Sequence, residues 1–200
     1  MNYFEIIEIG CFDNFFKDKL IDLNINNFYL YQKINKKEDF SNNLFLDKKN
    51  DVKIFLLDNI NLVSIAPKDS IIFFKANNSE DLFLAIKNKR INAILDPISA
   101  GLIFDEASAN LLKENNKSII FNYNEYRKNT YKSIKQSQFI IDLLLKKQIP
   151  FFFTSFAKSH NDICQSVILE NFLKNFNLNS EFIKKQMQKE TFEKTCLKRK

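Results

Sequence analysis

Glycine is nearly missing from this chain: Gly10 and Gly101 are its two glycines in 200 residues. No glycine-rich phosphate loop, neither G-x-G-x-x-G nor a Walker-type loop, is present or can be built from two distant glycines. Tryptophan is absent and histidine occurs once, at His160. A lone histidine has no second imidazole to complete a zinc set. The cysteines, Cys11, Cys164 and Cys196, are odd in number and widely spaced, which argues against both a zinc motif and a secreted disulfide framework. No run approaches ~18 uninterrupted apolar residues, and no charged segment leads into an apolar one with a small-residue cleavage site. A cytoplasmic protein is expected.

What remains is enough for a packed core. Hydrophobic residues make up 45% and charged ones 27%, values of an ordinary globular domain rather than a disordered chain. The charge is uneven. Residues 1–100 carry 13 Lys plus Arg against 14 Asp plus Glu, and residues 101–200 carry 17 against 10, so the excess of cations lies in the second half and suggests an acidic partner there, nucleic acid being the commonest. Only Arg90, Arg127 and Arg199 are arginines, and Lys, Phe, Ile and Asn abound. These favoured residues have A- and T-rich codons, so lysine positions carry more meaning than lysine numbers.

Seven short apolar runs read as strands: 3–9, 27–31, 52–57, 71–75, 91–95, 118–121 and 150–154. Most are continuous rather than alternating, the habit of parallel strands covered on both faces. Helical patterns lie between the later ones. One opens at Ser79 as N-cap, with acids in its first turn and basic residues at its end. A second puts Phe104, Ala107, Leu111 and Leu112 on one face. A third runs from Tyr131 with Ile134, Phe139 or Ile141, and Leu145 inward. A fourth uses Ile163, Val167, Leu169 or Ile168, and Phe172, and a final helix starts at Ser180. Alternating strands and helices predict an α/β fold. Without a nucleotide-binding loop, a TIM-like barrel is preferred to an open doubly wound sheet, with about seven mostly parallel strands and an irregular or incomplete wall. Residues 1–190 are expected as one domain and 191–200 as a basic, frayed tail; 35–43 reads as a surface loop or short helix start.

In a parallel barrel, functional groups gather where strands end. Here those positions hold Glu8, Asp58, Lys75, Asp96, Asn122, Thr154 and Ser155, though any α/β protein has polar residues there, and loop structure is the preferred reading. His160 lies in the segment Ser159-His160-Asn161-Asp162. Ser159 or Asn161 suits an N-cap and Asp162 a first turn. Capping leaves Lys158 and His160 over, and donors beside helix N–H groups form a place for an anion. The stretch 124–136 is the other basic constellation. Arg127, Lys128, Lys132 and Lys135 lead into the third helix, the three lysines on one face, with Tyr123, Tyr126 and Tyr131 interleaved. Cations follow a phosphate backbone and phenol rings stack on unpaired bases. A solvated helix face is the plainer alternative.

From residue 70 to 190 the order of pieces resembles a known family, the archaeal ribonuclease P protein component 3, homologous to the eukaryotic thirty-kilodalton subunit. The resemblance rests on FKANNSEDLFLAIKNKRINAILDP, FDEASANLLKENNKSIIFNYNEYR and IPFFFTSFAKSHNDI, above all on Asp96-Pro97 and the turn Thr154-Ser155-Phe156-Ala157. Family members usually carry an arginine inside the segment after the sixth strand, where this chain offers Arg127 and Lys128 only further along. They carry another in an Asp-x-Arg segment, where this chain has Asp162 followed by Cys164. The resemblance implies a TIM-like barrel that takes part in removing the 5′ leader of precursor tRNA without itself supplying the chemistry. It implies as partners the ribonuclease P RNA, which holds the catalytic Mg2+ ions, precursor tRNA through the complex, and protein component 2. No catalytic residue, metal or cofactor is then expected in this chain. Arg127, Lys128, Lys132, Lys135, Lys158 and His160 are the expected RNA-binding set. A stand-alone metal-dependent hydrolase on a related barrel and a protein-interaction barrel without RNA contact are the rival readings.

Overall fold

The computed structural model describes residues 4–41, 52–97, 102–128 and 131–197, with the backbone alone at Lys128 and at 131–134. Its elements follow the chain as β1 (Phe4–Glu8), α1 (Asn14–Asp22), β2 (Asn27–Ile34), β3 (Ile54–Leu57), α2 (Ile60–Ile65), β4 (Ile71–Lys75), α3 (Ser79–Lys87), β5 (Ile91–Leu95), α4 (Glu106–Glu114), β6 (Ser118–Asn122), α5 (Tyr123–Lys128), α6 (Tyr131–Lys147), β7 (Phe151–Thr154), α7 (Ser166–Lys174), α8 (Ser180–Gln186) and α9 (Lys189–Cys196). The seven strands lie side by side in chain order and all pair in parallel. Each apolar run expected as a strand forms one, because both faces are covered: one faces the barrel interior, the other the helices.

The wall closes at the seam between β7 and β1. Beyond Thr154 the chain steps through Ser155 and Phe156, and Ala157 bridges Ile7 in parallel. Ala157 N–H donates to the Ile6 carbonyl at 3.0 Å, and Glu8 N–H donates to the Ala157 carbonyl at 2.9 Å. Ile6 N–H donates to Thr154 Oγ1 at 3.0 Å, so a side-chain hydroxyl completes the ladder where backbone pairing is lost. The fold is a TIM-like α/β barrel with one irregular seam, as the sequence led us to expect.

Phe4, Ile6, Tyr29, Ile54, Leu56, Phe73, Ile120 and Phe152 fill the interior. The C-terminal mouth is covered by Phe156, whose ring stands edge-on to Tyr31 at 5.5 Å. Phe156 has φ 45°, a left-handed conformation costly for an aromatic residue and held here by the seam on either side. α9 stops the N-terminal mouth. Phe192 stacks on Phe4 at 4.3 Å and meets Tyr29, Phe73 and Phe152, while Glu193 accepts from the Tyr29 hydroxyl at 2.6 Å. This corrects the expectation of a frayed tail from 191: Phe192 and Cys196 are fully buried.

Asparagine does much of the work that glycine does elsewhere. Asn24, Asn116 and Asn177 adopt positive φ just past helix ends, where glycine is the usual residue. Asp13, Asn59, Asn78, Asp105 and Asn179 accept N-terminal N–H groups from their helices. The N-cap of α3 is therefore Asn78 and not Ser79, which is its first helical residue. In α4, Ala109 and Leu112 are buried and Ala107 is exposed. α7 begins only at Ser166 and turns Leu169 and Leu173 inward, leaving Val167 and Ile168 in solvent. In α6, Ile141 faces the core and Phe139 does not. Ile134 lies outside the described side chains. Of the segment 35–43, the described residues 35–41 include a 3-10 turn, Lys37–Phe40.

Candidate nucleic-acid interface

The segment after β6 is fixed at several points. Asn124 is buried, and its Nδ2 donates to the carbonyls of Ser155 at 2.6 Å and Asp162 at 2.9 Å. Its own N–H donates to Asn122 Oδ1 at 3.1 Å. Two residues on, the Tyr126 hydroxyl donates to Asp96 Oδ1 at 3.2 Å, at the end of β5. Arg127 then reaches the Asn161 carbonyl with Nη1 at 3.5 Å. α5 thus ties the basic segment to the turn that follows β7, and it brings Arg127 to Asn161 in that turn. Asn124 had no signal in the sequence, being one asparagine among many.

That turn is a single 3-10 turn, His160–Asp162, rather than the start of the next α-helix. Of the two N-cap candidates in the sequence, Ser159 is the cap and Asn161 lies within the turn. Asp162 folds back so that Oδ2 accepts from Lys158 N–H at 3.2 Å, Ser159 N–H at 3.0 Å and Ser159 Oγ at 3.0 Å. The backbone N–H groups just before the turn, those of Lys158 and Ser159, therefore already hold a carboxylate. The side chain of Lys158 is exposed, while His160 is half-buried with its ring edge-on to Phe15 of α1, centroids 4.7 Å apart.

Of the other expected contacts, Lys135 is exposed on the first turns of α6. Lys128 and Lys132 occupy helical positions in α5 and α6, but their side chains lie outside the described residues, as does that of Tyr131. Tyr123 and Tyr126 are not stacking platforms. Both are buried, Tyr123 against Phe172 and Tyr126 against Phe121, Phe153 and Phe172. Burial, then the charge of Asp96, push the Tyr126 phenol well above its ordinary range.

Of the polar residues at strand ends, Glu8, Asp58, Asp96, Asn122, Thr154 and Ser155 are engaged with the fold. Asp58 pairs with Lys33 at 3.6 Å, Glu8 accepts from the Tyr31 hydroxyl at 3.3 Å, and Thr154 and Ser155 both donate to the buried Glu5. A cleft of about 280 Å³ lies at the ends of β1 and β2, lined by Glu8, Gly10, Gln32, Lys33 and Asp39 among others. Among the described residues, no group of three or more His, Cys, Asp or Glu is placed to hold a metal ion, and no helix is long and apolar enough to cross a membrane.

No family model matches this chain, and no curated protein matches it in sequence. In three dimensions it is similar to a chain in the cryo-EM structure of archaeal ribonuclease P with mature tRNA. The TM-score is 0.77 at 16% identity, and the match covers 96% of this chain and 89% of that one. What the two share at that identity is a fold, seen over nearly the whole of both chains.

Proposed function

We propose that this chain is a non-catalytic protein subunit of a ribonuclease P ribonucleoprotein, in the position of protein component 3, and that it supports RNA-catalysed removal of the 5′ leader from precursor tRNA. The observation that carries this reading is the fold likeness, over almost the full length of both chains, to a chain of an archaeal ribonuclease P assembly. The order of motifs around Asp96-Pro97 and Thr154–Ala157 points the same way independently of it.

The chemistry of the rim fits a supporting role. Arg127, Lys128, Lys132, Lys135 and Lys158 offer cations to phosphate, with His160 beside them. Such contacts orient a nucleic acid without reading its sequence. Two carboxylates of this region, Asp96 and Asp162, are bonded to Tyr126 and to the 158–159 backbone, which suits holding the edge in shape rather than moving protons. In this reading the RNA holds the Mg2+ ions, and component 2 is the protein partner.

Reconstitution tests it. Purified chain is combined with the ribonuclease P RNA of its own genome and with component 2, and cleavage of precursor tRNA is followed with and without it. The expected result is processing that depends on RNA and is raised by this chain. Cleavage by the protein alone, after all RNA has been removed, would overturn the reading.

A further inference from the structure

Phe139 is 61% exposed on α6, although Ile140, Ile141, Leu143 and Leu144 around it all pack inward. Two other phenylalanines stand out into solvent to a similar degree, and each has a partner. Phe15, 59% exposed, lies against His160. Phe83, 49% exposed, has the Lys87 ammonium 3.9 Å above its ring. Among the described residues, Phe139 has neither a ring nor a cation against it.

Its neighbours along the helix say what fits there. Residues three, four and seven apart share a helix face, so Lys132, Lys135 and Phe139 form one line, and Asp142 continues it. Two cation positions come first, then an apolar ring, then a carboxylate. A nucleic-acid strand laid along this line meets attraction for its phosphates over the first turns and repulsion at Asp142. At the boundary lies a flat apolar surface of the size of a base. Aromatic rings beside a cationic track are the recurring means of binding unpaired nucleotides, because every base has a π-face.

We propose that Phe139 stacks on an unpaired base of the RNA held by the basic edge, and that Asp142 marks the end of that footprint. This rests on the reading that the edge binds RNA. A strictly double-helical RNA has no free base face to offer, so the ligand is RNA with a loop, bulge or single-stranded segment at this point.

The test compares the full chain with Phe139→Ala, Phe139→Leu and Phe139→Trp in binding to the ribonuclease P RNA of the same genome over a range of salt. Because the residue is exposed, far-UV circular dichroism of all three should match the parent. Phe139→Ala is expected to weaken binding by about tenfold or more, and Phe139→Trp to stay within about twofold of the parent. Phe139→Leu should resemble alanine, since it keeps apolar area and loses the ring. The slope of log affinity against log salt should not change, because no phosphate contact is removed. Leucine matching the parent, or a slope that falls with the alanine change, overturns the stacking. So does an alanine variant that binds RNA normally and loses a protein partner instead. If the parent chain has no affinity for the RNA, the broader reading fails and takes this one with it; if the parent binds and Phe139→Ala binds equally well, stacking alone fails.

Discussion

Glu5 is a carboxylate without exposed surface, and its Oε2 gathers donors from the end of β7: Thr154 Oγ1 at 3.2 Å, Ser155 N–H at 3.2 Å and the Ser155 hydroxyl. A buried charge is tolerable only when hydrogen-bonded, and removing one donor costs more than the bond itself contributes net. Ser155→Ala is therefore expected to destabilise the fold by about 1–3 kcal/mol. Thr154→Val should cost more, since that hydroxyl also accepts from Ile6 N–H. Urea unfolding with an unchanged m-value is the measurement, and full stability in both variants would show that the seam does not depend on these bonds. Two thiols and three phenols make the largest contribution to the response to base. Burial pushes Cys164 and Cys196 up to about 12, and raises Tyr29, Tyr31 and Tyr126 with help from Glu193, Glu8 and Asp96. All five hold their protons more tightly folded than unfolded. Their contribution is complete below the ordinary thiol and phenol values of 9.0 and 10.0 and is lost as pH rises beyond them. Stability measured from pH 8 to 11 should accordingly fall from about pH 9 upward; a flat profile would contradict this. Tyr123 and Tyr126, which their sequence neighbours suggest as stacking rings, are instead buried. Their nearness to Arg127 in sequence is visible, but the direction of a ring is set by what packs on it, and Phe121, Phe153 and Phe172 arrive from two other elements.

α9 shows what a short element can carry. Its eight residues, Lys189–Cys196, are mostly polar, and only Phe192 and Cys196 face inward, one turn apart. Two apolar residues make too faint a period to announce a core helix beside so many charges, which is why the segment looks like a tail until the open barrel end above it is known. Phe192 meets four aromatic rings in the interior. Phe192→Ala is expected to cost about 3–5 kcal/mol, the range for emptying a large buried aromatic site. Ending the chain at Gln188 should do more, exposing the lower barrel to water and broadening the thermal transition. Calorimetry of both checks this; two sharp transitions like the parent's would mean that the mouth is closed without α9. The strands are the opposite case. Their runs were legible because continuous apolar sequence admits little else in a chain of alternating elements. The start of α7 was not, because Ser159–Asp162 carries every mark of an N-terminus and then turns only once, so that Val167 and Ile168 end up in solvent.

In the molecule as a whole, barrel closure and the proposed basic edge share one turn. Ala157 closes the wall, and Lys158 and His160 follow it immediately; Asn124 binds that same turn to α5, from which Arg127 extends. Closure by backbone bonds at Ala157 leaves no pattern of side chains to read, so the preference for a barrel over an open sheet rested on the missing glycine loop, and the seam itself had to be seen. Once closed, the wall ties the Arg127 segment to the turn that carries Lys158 through the Asn161 carbonyl, a junction that neither segment predicts alone, and the proposed RNA-binding edge is built on it. The consequence is measurable in salt. Each phosphate neutralised releases counterions, so log affinity for RNA should fall by about 0.7–0.9 per log unit of salt for each contact. Lys132→Ala with Lys135→Ala should reduce that slope by about 1.4–1.8 if both touch phosphate, and by nothing if they form only a solvated face. Lys146→Ala, at the far end of the same helix and exposed, is the control that should leave the slope alone. A slope lowered equally by all three changes would mean that net charge, and not this edge, attracts the RNA.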